Sequence, residues 1–267
     1  MSLQQFVSRE WVEFLRLRER SNEFTLPNLI GVGAARCGTT SLYHTLKQCD
    51  EIFMSPVKEL SYFSHQFNKW TEDEYRVFFS GKKPEHKYVG EITPHYLHSK
   101  ESCNRISELI PDCKIIILLR NPVKRAISHF KKHFEYHNIQ KIDQYFRIGI
   151  DQINTDKQLK FHHPAMNLRQ GFYFESINRY LEQFPRENLF IGTLDEMKGN
   201  TTEFGKKLSS WLGVNIEFET EAKNKSQKIP GIGSLTAKTK SRLDELYSDD
   251  FNKTLNLLGL SKEDLKV

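Results

Sequence analysis

The chain has 267 residues, 38% of them hydrophobic, and a formal net charge of +5 at pH 7. That length favours one large domain or two small ones, with ample chain to bury a core. The charge excess is too mild for a dedicated nucleic-acid binder but suits an anionic ligand, and no apolar run approaches the roughly 20 residues of a membrane span.

The first twenty residues, MSLQQFVSREWVEFLRLRER, lack the continuous apolar core and cleavage site of a secretory signal. Their Phe6, Trp11, Phe14 and Leu15 suit an amphipathic helix packed on the domain. From there apolar runs and helical patterns alternate. Strands are expected over 28–33, 52–54, 88–91, 114–119 and 189–193. Helices are expected over 39–49, 71–80, 99–110, 122–136, 170–184, 202–212 and 234–246. The alternation predicts an α/β fold, a P-loop-like parallel sheet of about five strands with helices on both faces, as a single domain over 1–267. The run CKIIILLR is apolar and β-branched throughout, as a central parallel strand should be. Ligands of such sheets bind beyond the carboxyl ends of the strands, which gathers 33–41, 54–65, 91–96 and 120–128 around one crevice. Residues 137–169 read as polar and helical at best, a cover for the substrate. Residues 217–233 read as a charged loop able to act as a lid.

Residues 33–40, GAARCGTT, keep the glycine spacing of GxxxxGK[ST], but Thr39 stands where the lysine belongs. Backbone N–H groups at such a turn still cradle a phosphate, and Thr39, Thr40 and Ser41 add hydroxyls where the helix dipole is positive. Without the lysine that bridges two phosphates, the loop reads as a single-phosphate site with Arg36 as its cation. Nucleotide hydrolases place a magnesium-binding aspartate at a strand end. Here IIILLRNP ends in Arg120, which attracts an anion and repels a metal. Pro122 then opens a helix carrying Lys124 and Ser128 on its early turns. Ser128 alone is equally consistent with a serine bonded back to its own helix. The crevice therefore offers two anion sites and no metal site, which suits a nucleotide carrying both 5′- and 3′-phosphates.

At this point the sequence resembles the sulfotransferases that use PAPS (3′-phosphoadenosine 5′-phosphosulfate), especially the branch of heparan-sulfate N- and O-sulfotransferases and their bacterial relatives. GAARCGTTSLYHTL is similar to that family's 5′-phosphosulfate loop, and IIILLRNPVKRAISHF to its 3′-phosphate element. SPVKELSYFS, VGEITPHYL, GFYFESINRYLEQFPRENLFIGTLDEM and LDELYSDDFNKTLNLLGL match further family segments in order across nearly the whole chain. The resemblance implies a five-stranded parallel sheet and PAPS as cosubstrate with no metal. It implies that Arg36 stands in place of a catalytic lysine, that Gly38, Thr39, Thr40 and Ser41, with Cys37 beside them, hold the 5′-phosphosulfate, and that Arg120 and Ser128 hold the 3′-phosphate. Glu59 matches the family's acidic base. Ile92 and Ser61 stand where glycan-directed members carry a lysine and a histidine, which thins the positive charge on the acceptor side.

Sulfuryl transfer needs alignment, a base and cations near the bridging oxygen. Glu59 follows a strand end beyond Pro56, and to work efficiently as a base it needs its pKa raised toward neutrality by burial; a salt bridge with Lys58, Arg36 or a neighbouring helix is the plainer role for it. His65 and His95 are rival bases. Lys223, Lys225 and Lys228 in the charged loop are expected to close over the nucleotide. His129, His133 and His137 recur every four residues, and with no Glu or Cys to complete a metal set they read as a solvated helix face. Cys37, Cys49, Cys103 and Cys113 have no CxxC or zinc spacing and fit a reducing, cytoplasmic setting. The acceptor is left open among a glycan, a lipid, a small metabolite and a carrier-tethered acyl chain. Its pocket is expected from 60–80 and 137–170, where Tyr62, Phe63, Phe67, Trp70, Tyr145 and Phe146 supply aromatic surface. A nucleotide or small-molecule kinase with a degenerate phosphate loop is the competing enzyme, and a non-catalytic module that binds a nucleotide is a third reading.

Overall fold

The structure is a computed structural model that describes residues 9–18, 25–66, 68–155, 159, 162–218 and 229–261. In chain order its elements begin with α1 (Arg9–Arg18), β1 (Leu29–Gly33), α2 (Thr39–Leu46), β2 (Ile52–Met54), α3 (Glu72–Val77) and β3 (Tyr88–Ile92). There follow α4 (Lys100–Leu109), β4 (Lys114–Leu119), α5 (Pro122–Lys132), α6 (Ile142–Asp151), α7 (Pro164–Arg169) and α8 (Phe174–Gln183). The chain then adds β5 (Leu189–Thr193), α9 (Leu194–Gly199), α10 (Thr201–Leu212) and α11 (Ala237–Leu258).

The apolar runs form one five-stranded sheet in the order β2-β3-β1-β4-β5, every pair parallel. Leu29 lies between Gly90 and Lys114, and Ile115 pairs with Leu189. Every residue of β1 and β3 is buried, as is β4 from Ile115 onward, because helices cover both faces. The chain leaves β1 toward β2 and β3 on one side and later crosses to β4 and β5 on the other. The carboxyl ends of β1 and β4 thus flank the topological switch point, where a ligand crevice belongs.

Several expected boundaries shift for local reasons. The helix expected over 71–80 is held at its start by a reciprocal capping box between Thr71 and Glu74 and ends at Val77. The one expected over 122–136 ends at Lys132, and a separate single turn covers Phe134–Tyr136. The last helix runs on to Leu258, because Leu243, Tyr247, Phe251 and Leu255 put an apolar residue on one face every four positions. Gly259, at φ +64°, then ends it in the left-handed conformation.

The segment read as a polar cover is more ordered than expected. It forms α6 and α7, which pack with α5 and α11 around Val123, Ala126, Phe130, Tyr145, Phe146, Leu168, Leu243 and Tyr247. This is a second hydrophobic cluster beside the larger one that encloses the sheet. It also corrects the expected acceptor surface: Tyr145 and Phe146 are core residues, as are Tyr62, Phe63 and Trp70 of the other segment. Phe67 lies outside the described residues.

Candidate active site

The loop after β1 turns on two glycines. Gly33 has φ +153°, and Gly38 has φ +95° and caps α2. Gly38 brings no side chain to the helix start, so no side-chain cap takes the first-turn N–H groups of α2. Those amides and the part-exposed Thr40 and Ser41 open on the crevice, with Thr39 buried beside them. This is the layout of an anion cradle.

Arg36 sits inside the turn at φ +71°, a left-handed conformation uncommon for a residue with a side chain. Its Nε donates to Ser128 Oγ across 3.2 Å, which ties the β1 loop to α5. Arg120, the residue after β4, donates from Nη1 to the Arg36 carbonyl at 3.4 Å. Ser128 therefore faces Arg36 rather than serving only its own helix. Burial first, then the like charges of Arg120 and Arg125, hold the Arg36 guanidinium below its usual range. Two arginines thus converge at the switch point, and among the described residues neither has a carboxylate within ion-pair distance.

Beneath them lies a residue the sequence did not single out. Arg125, one turn before Ser128 on α5, is fully buried. It donates to the Asn167 carbonyl and, at 2.8 Å, to Asn167 Oδ1, and its other amine reaches Gln170 Oε1 at 3.4 Å. Its hydrogen-bond partners are neutral oxygens, and its charge acts on Arg36. Tyr173, also fully buried, donates to the Arg120 carbonyl at 3.0 Å and so fixes the end of β4. The signal for both lay in partners some fifty residues away, which spacing alone does not show.

On the β2–β3 side, Glu59 has φ +64° and Ser61 φ +60°. The Glu59 amide donates to the Ile92 carbonyl at 3.1 Å, which seats the loop on the end of β3. The burial an efficient base would need is absent at Glu59: its side chain is 52% exposed and pairs with Lys58 at 2.6 Å, the alternative contact the sequence offered. Its charge still acts on both Arg36 and His95, so the three groups share the crevice. Burial lowers the pKa of His95 and keeps the imidazole neutral, with Glu59 opposing the shift. His65 is exposed on the following turn and is not among the groups that act on Arg36 or His95. Lys223, Lys225 and Lys228 lie outside the described residues.

Two further expectations change. The Cys37 thiol points into the core, burial pushes its pKa to about 11, and its N–H is taken by the Ala34 carbonyl at 3.2 Å. Neither the thiol nor the amide is presented to the crevice. His129 and His137 are buried, not solvated: His129 lies 4.5 Å from the His133 ring and His137 stacks on Phe130 at 5.2 Å. Among the described residues no group of His, Cys, Asp or Glu has the arrangement of a metal site.

A family model described as Sulfotransferase domain matches residues 26–229, the stretch carrying all five strands and the crevice loops. The chain belongs to the sulfotransferase family. This sulfotransferase is 31% identical over 112 residues to the membrane-associated sulfotransferase kil1 of Dictyostelium discoideum, covering 41% of this chain and 23% of that one. It is 26% identical over 210 residues to bifunctional heparan sulfate N-deacetylase/N-sulfotransferase 1 of Caenorhabditis briggsae, covering 73% and 24%. Against heparan sulfate glucosamine 3-O-sulfotransferase 6 of Mus musculus the figures are 26% over 195 residues, 70% and 52%. The chain thus matches about a quarter to a half of these relatives' lengths. Among solved structures, a sulfotransferase from Alicyclobacillus acidocaldarius superposes with a TM-score of 0.74 at 24% identity, covering 91% of this chain and 100% of that one. A mouse sulfotransferase complexed with PAP gives 0.50 at 15%, covering 94% and 93%. At these identities the likeness is one of fold, and it agrees with the observed sheet. No helix among the described residues is long and apolar enough to cross a membrane.

Proposed function

We propose that this sulfotransferase moves a sulfuryl group from PAPS to a hydroxyl or amine of its acceptor by in-line transfer. The observation that carries the reading is the meeting of Arg36 with Ser128 through its side chain and with Arg120 through its carbonyl, two residues before a helix start that no side chain caps. The set fits a nucleotide phosphorylated at both ends, with Arg36, Gly38, Thr39, Thr40 and Ser41 at the 5′ end and Arg120 and Ser128 at the 3′ end. The PAP bound to the mouse structural neighbour supports the same donor. When bound, PAPS supplies the sulfuryl group and a phosphate leaving group. Arg36 and the amide dipoles lower the energy of the negative charge that grows on the bridging oxygen. Arg36 does so electrostatically, because a guanidinium does not give up its proton. Glu59 takes the proton of the acceptor group, and its left-handed backbone is the kind of local strain that marks a working residue. His95, neutral through burial, is the second group able to accept it. Relatives named for heparan sulfate make a glycan the first acceptor to assay.

Calorimetric titration with PAP and with AMP, which lacks the 3′-phosphate, tests the assignment. Arg120→Ala should weaken PAP binding by about 2 kcal/mol, roughly thirtyfold, by stranding a charged phosphate, and should leave AMP binding unchanged. Arg36→Ala should abolish transfer of labelled sulfate from PAPS to de-N-sulfated heparin or p-nitrophenol. Wild-type protein that binds AMP as tightly as PAP defeats the reading.

A further inference from the structure

Glu91 is a carboxylate inside the sheet. It lies on β3, is 1% exposed, and does not reach the crevice. Three hydroxyls converge on it: Tyr75 donates to Oε1 at 2.9 Å, Tyr96 to Oε1 at 3.1 Å, and Thr93 to Oε2 at 2.6 Å. Two of those hydroxyl oxygens also accept backbone amides from the loop beyond Glu59. The Ser61 N–H donates to Thr93 Oγ1 at 3.3 Å, and the Phe63 N–H donates to the Tyr96 hydroxyl at 3.2 Å.

The directions follow from this geometry. A hydroxyl has one proton. With its oxygen accepting a loop amide, it turns that proton toward an acceptor, and both protons end on Glu91. A carboxylate accepts at both oxygens; the isosteric amide accepts at one only. The loop so held contains two left-handed residues, Glu59 and Ser61, which do not favour that conformation by themselves. Ser61 Oγ donates to the Glu59 carbonyl at 3.1 Å, which joins the two.

We propose that Glu91 is a positioning residue for the base: through Thr93 and Tyr96 it fixes the backbone of residues 61–63, and with it the placement of Glu59 at the crevice. The proposal rests on the reading of Glu59 as the base. It gives a buried charge in the sheet a role that burial alone does not, since a buried carboxylate otherwise costs stability.

Amide hydrogen exchange and turnover of labelled PAPS together test it. Sulfate release to water serves as the turnover assay, because water can take the acceptor's place: its oxygen attacks sulfur, the bond to the 5′-phosphate breaks, and the proton goes to Glu59. In Glu91→Gln the Ser61 and Phe63 amides should exchange about tenfold faster or more. Thr93→Val should free the Ser61 amide in the same way, and serves if Glu91→Gln does not fold. Tyr75→Phe, which removes a donor to Glu91 but no loop contact, should leave both amides protected. Glu91→Gln should lower kcat about tenfold and leave the KM for PAPS within about twofold. Combined with Glu59→Gln, it should add no further loss, because a residue acting through another is non-additive with it. Unchanged exchange in Glu91→Gln, or losses that multiply in the double variant, overturns the proposal. Full turnover in Glu59→Gln alone instead sinks the base assignment, and the exchange result distinguishes the two failures.

Discussion

Replacing Gly33 and Gly38 with alanine separates rigid neighbours from yielding ones within one loop. At Gly33, φ +153°, an added Cβ would stand 2.7 Å from the Pro94 carbonyl oxygen and 2.8 Å from Leu97 Cβ. Both atoms are fixed to the backbone and cannot swing aside. Overpacking of that kind costs about 3 kcal/mol, and a side chain at positive φ adds about 1–2 kcal/mol. At Gly38, φ +95°, the Cβ would meet Met197 Cε at 2.5 Å and Leu194 Cδ1 at 2.8 Å. These are the ends of flexible side chains that rotate away for about 1 kcal/mol, so the total is about 2–3 kcal/mol. At about 2–4 °C per kcal/mol for a domain of this size, Gly33→Ala should lower Tm by about 10–20 °C and Gly38→Ala by about 5–10 °C. Differential scanning calorimetry reads both. Gly38→Ala should also lose PAP affinity, because it shifts the first turn of α2. Equal destabilisation by the two variants, or a Tm within about 2 °C of wild type for Gly33→Ala, refutes the reasoning.

Two further outcomes concern the buried charges. Burial holds His98 at about 3 and His129 well below the usual imidazole range, so the unfolded chain takes up their protons first. Their contribution to stability is complete above about pH 6.5 and is lost as pH falls toward the folded values, for His98 by about 2 kcal/mol at pH 5. Glu91 and Asp250, raised by burial, act in the opposite direction. Urea unfolding between pH 7.5 and 5 should show the net loss, and His129→Gln should remove a large part of it; an unchanged slope in that variant denies His129 the role. Arg125→Met should destabilise the fold by about 3 kcal/mol, because it strands the Asn167 and Gln170 oxygens. It should also weaken PAP binding by withdrawing a cation from under the crevice. Unfolding and calorimetry on the same variant check both parts, and wild-type PAP affinity would show that the buried charge does not act on the site.

The sheet was legible because a parallel strand covered on both faces is a plain apolar run, so all five strands stand within a residue or so of their expected bounds. That Arg36, Arg120 and Ser128 meet was legible for a related reason: each is fixed by short-range spacing from a strand end or a helix start. Glu91 was not, although it lies in a strand whose every position is buried. Its meaning depends on Tyr75 and Tyr96, supplied by separate elements, and on a loop thirty residues earlier. Arg125 hid for the same reason, since a basic residue on a helix usually faces water. The histidine series misled because α5 stops at Lys132, so His137 returns over Phe130 from a different turn. Local periodicity described the scaffold; the charges inside it are settled by contacts that only the tertiary fold brings together.

Helix α5 follows directly from β4, yet its Val123, Ala126 and Phe130 belong to the second hydrophobic cluster. The two ends of one nucleotide would therefore answer to two different packing units. A lesion at Leu168 or Tyr247, remote from the loop after β1, should disturb the helix that carries Ser128 and Arg125 and leave the loop after β1 on the sheet's own core. Any substitution that repacks the helical unit is therefore expected to be felt at Ser128 before it is felt at the amides of α2.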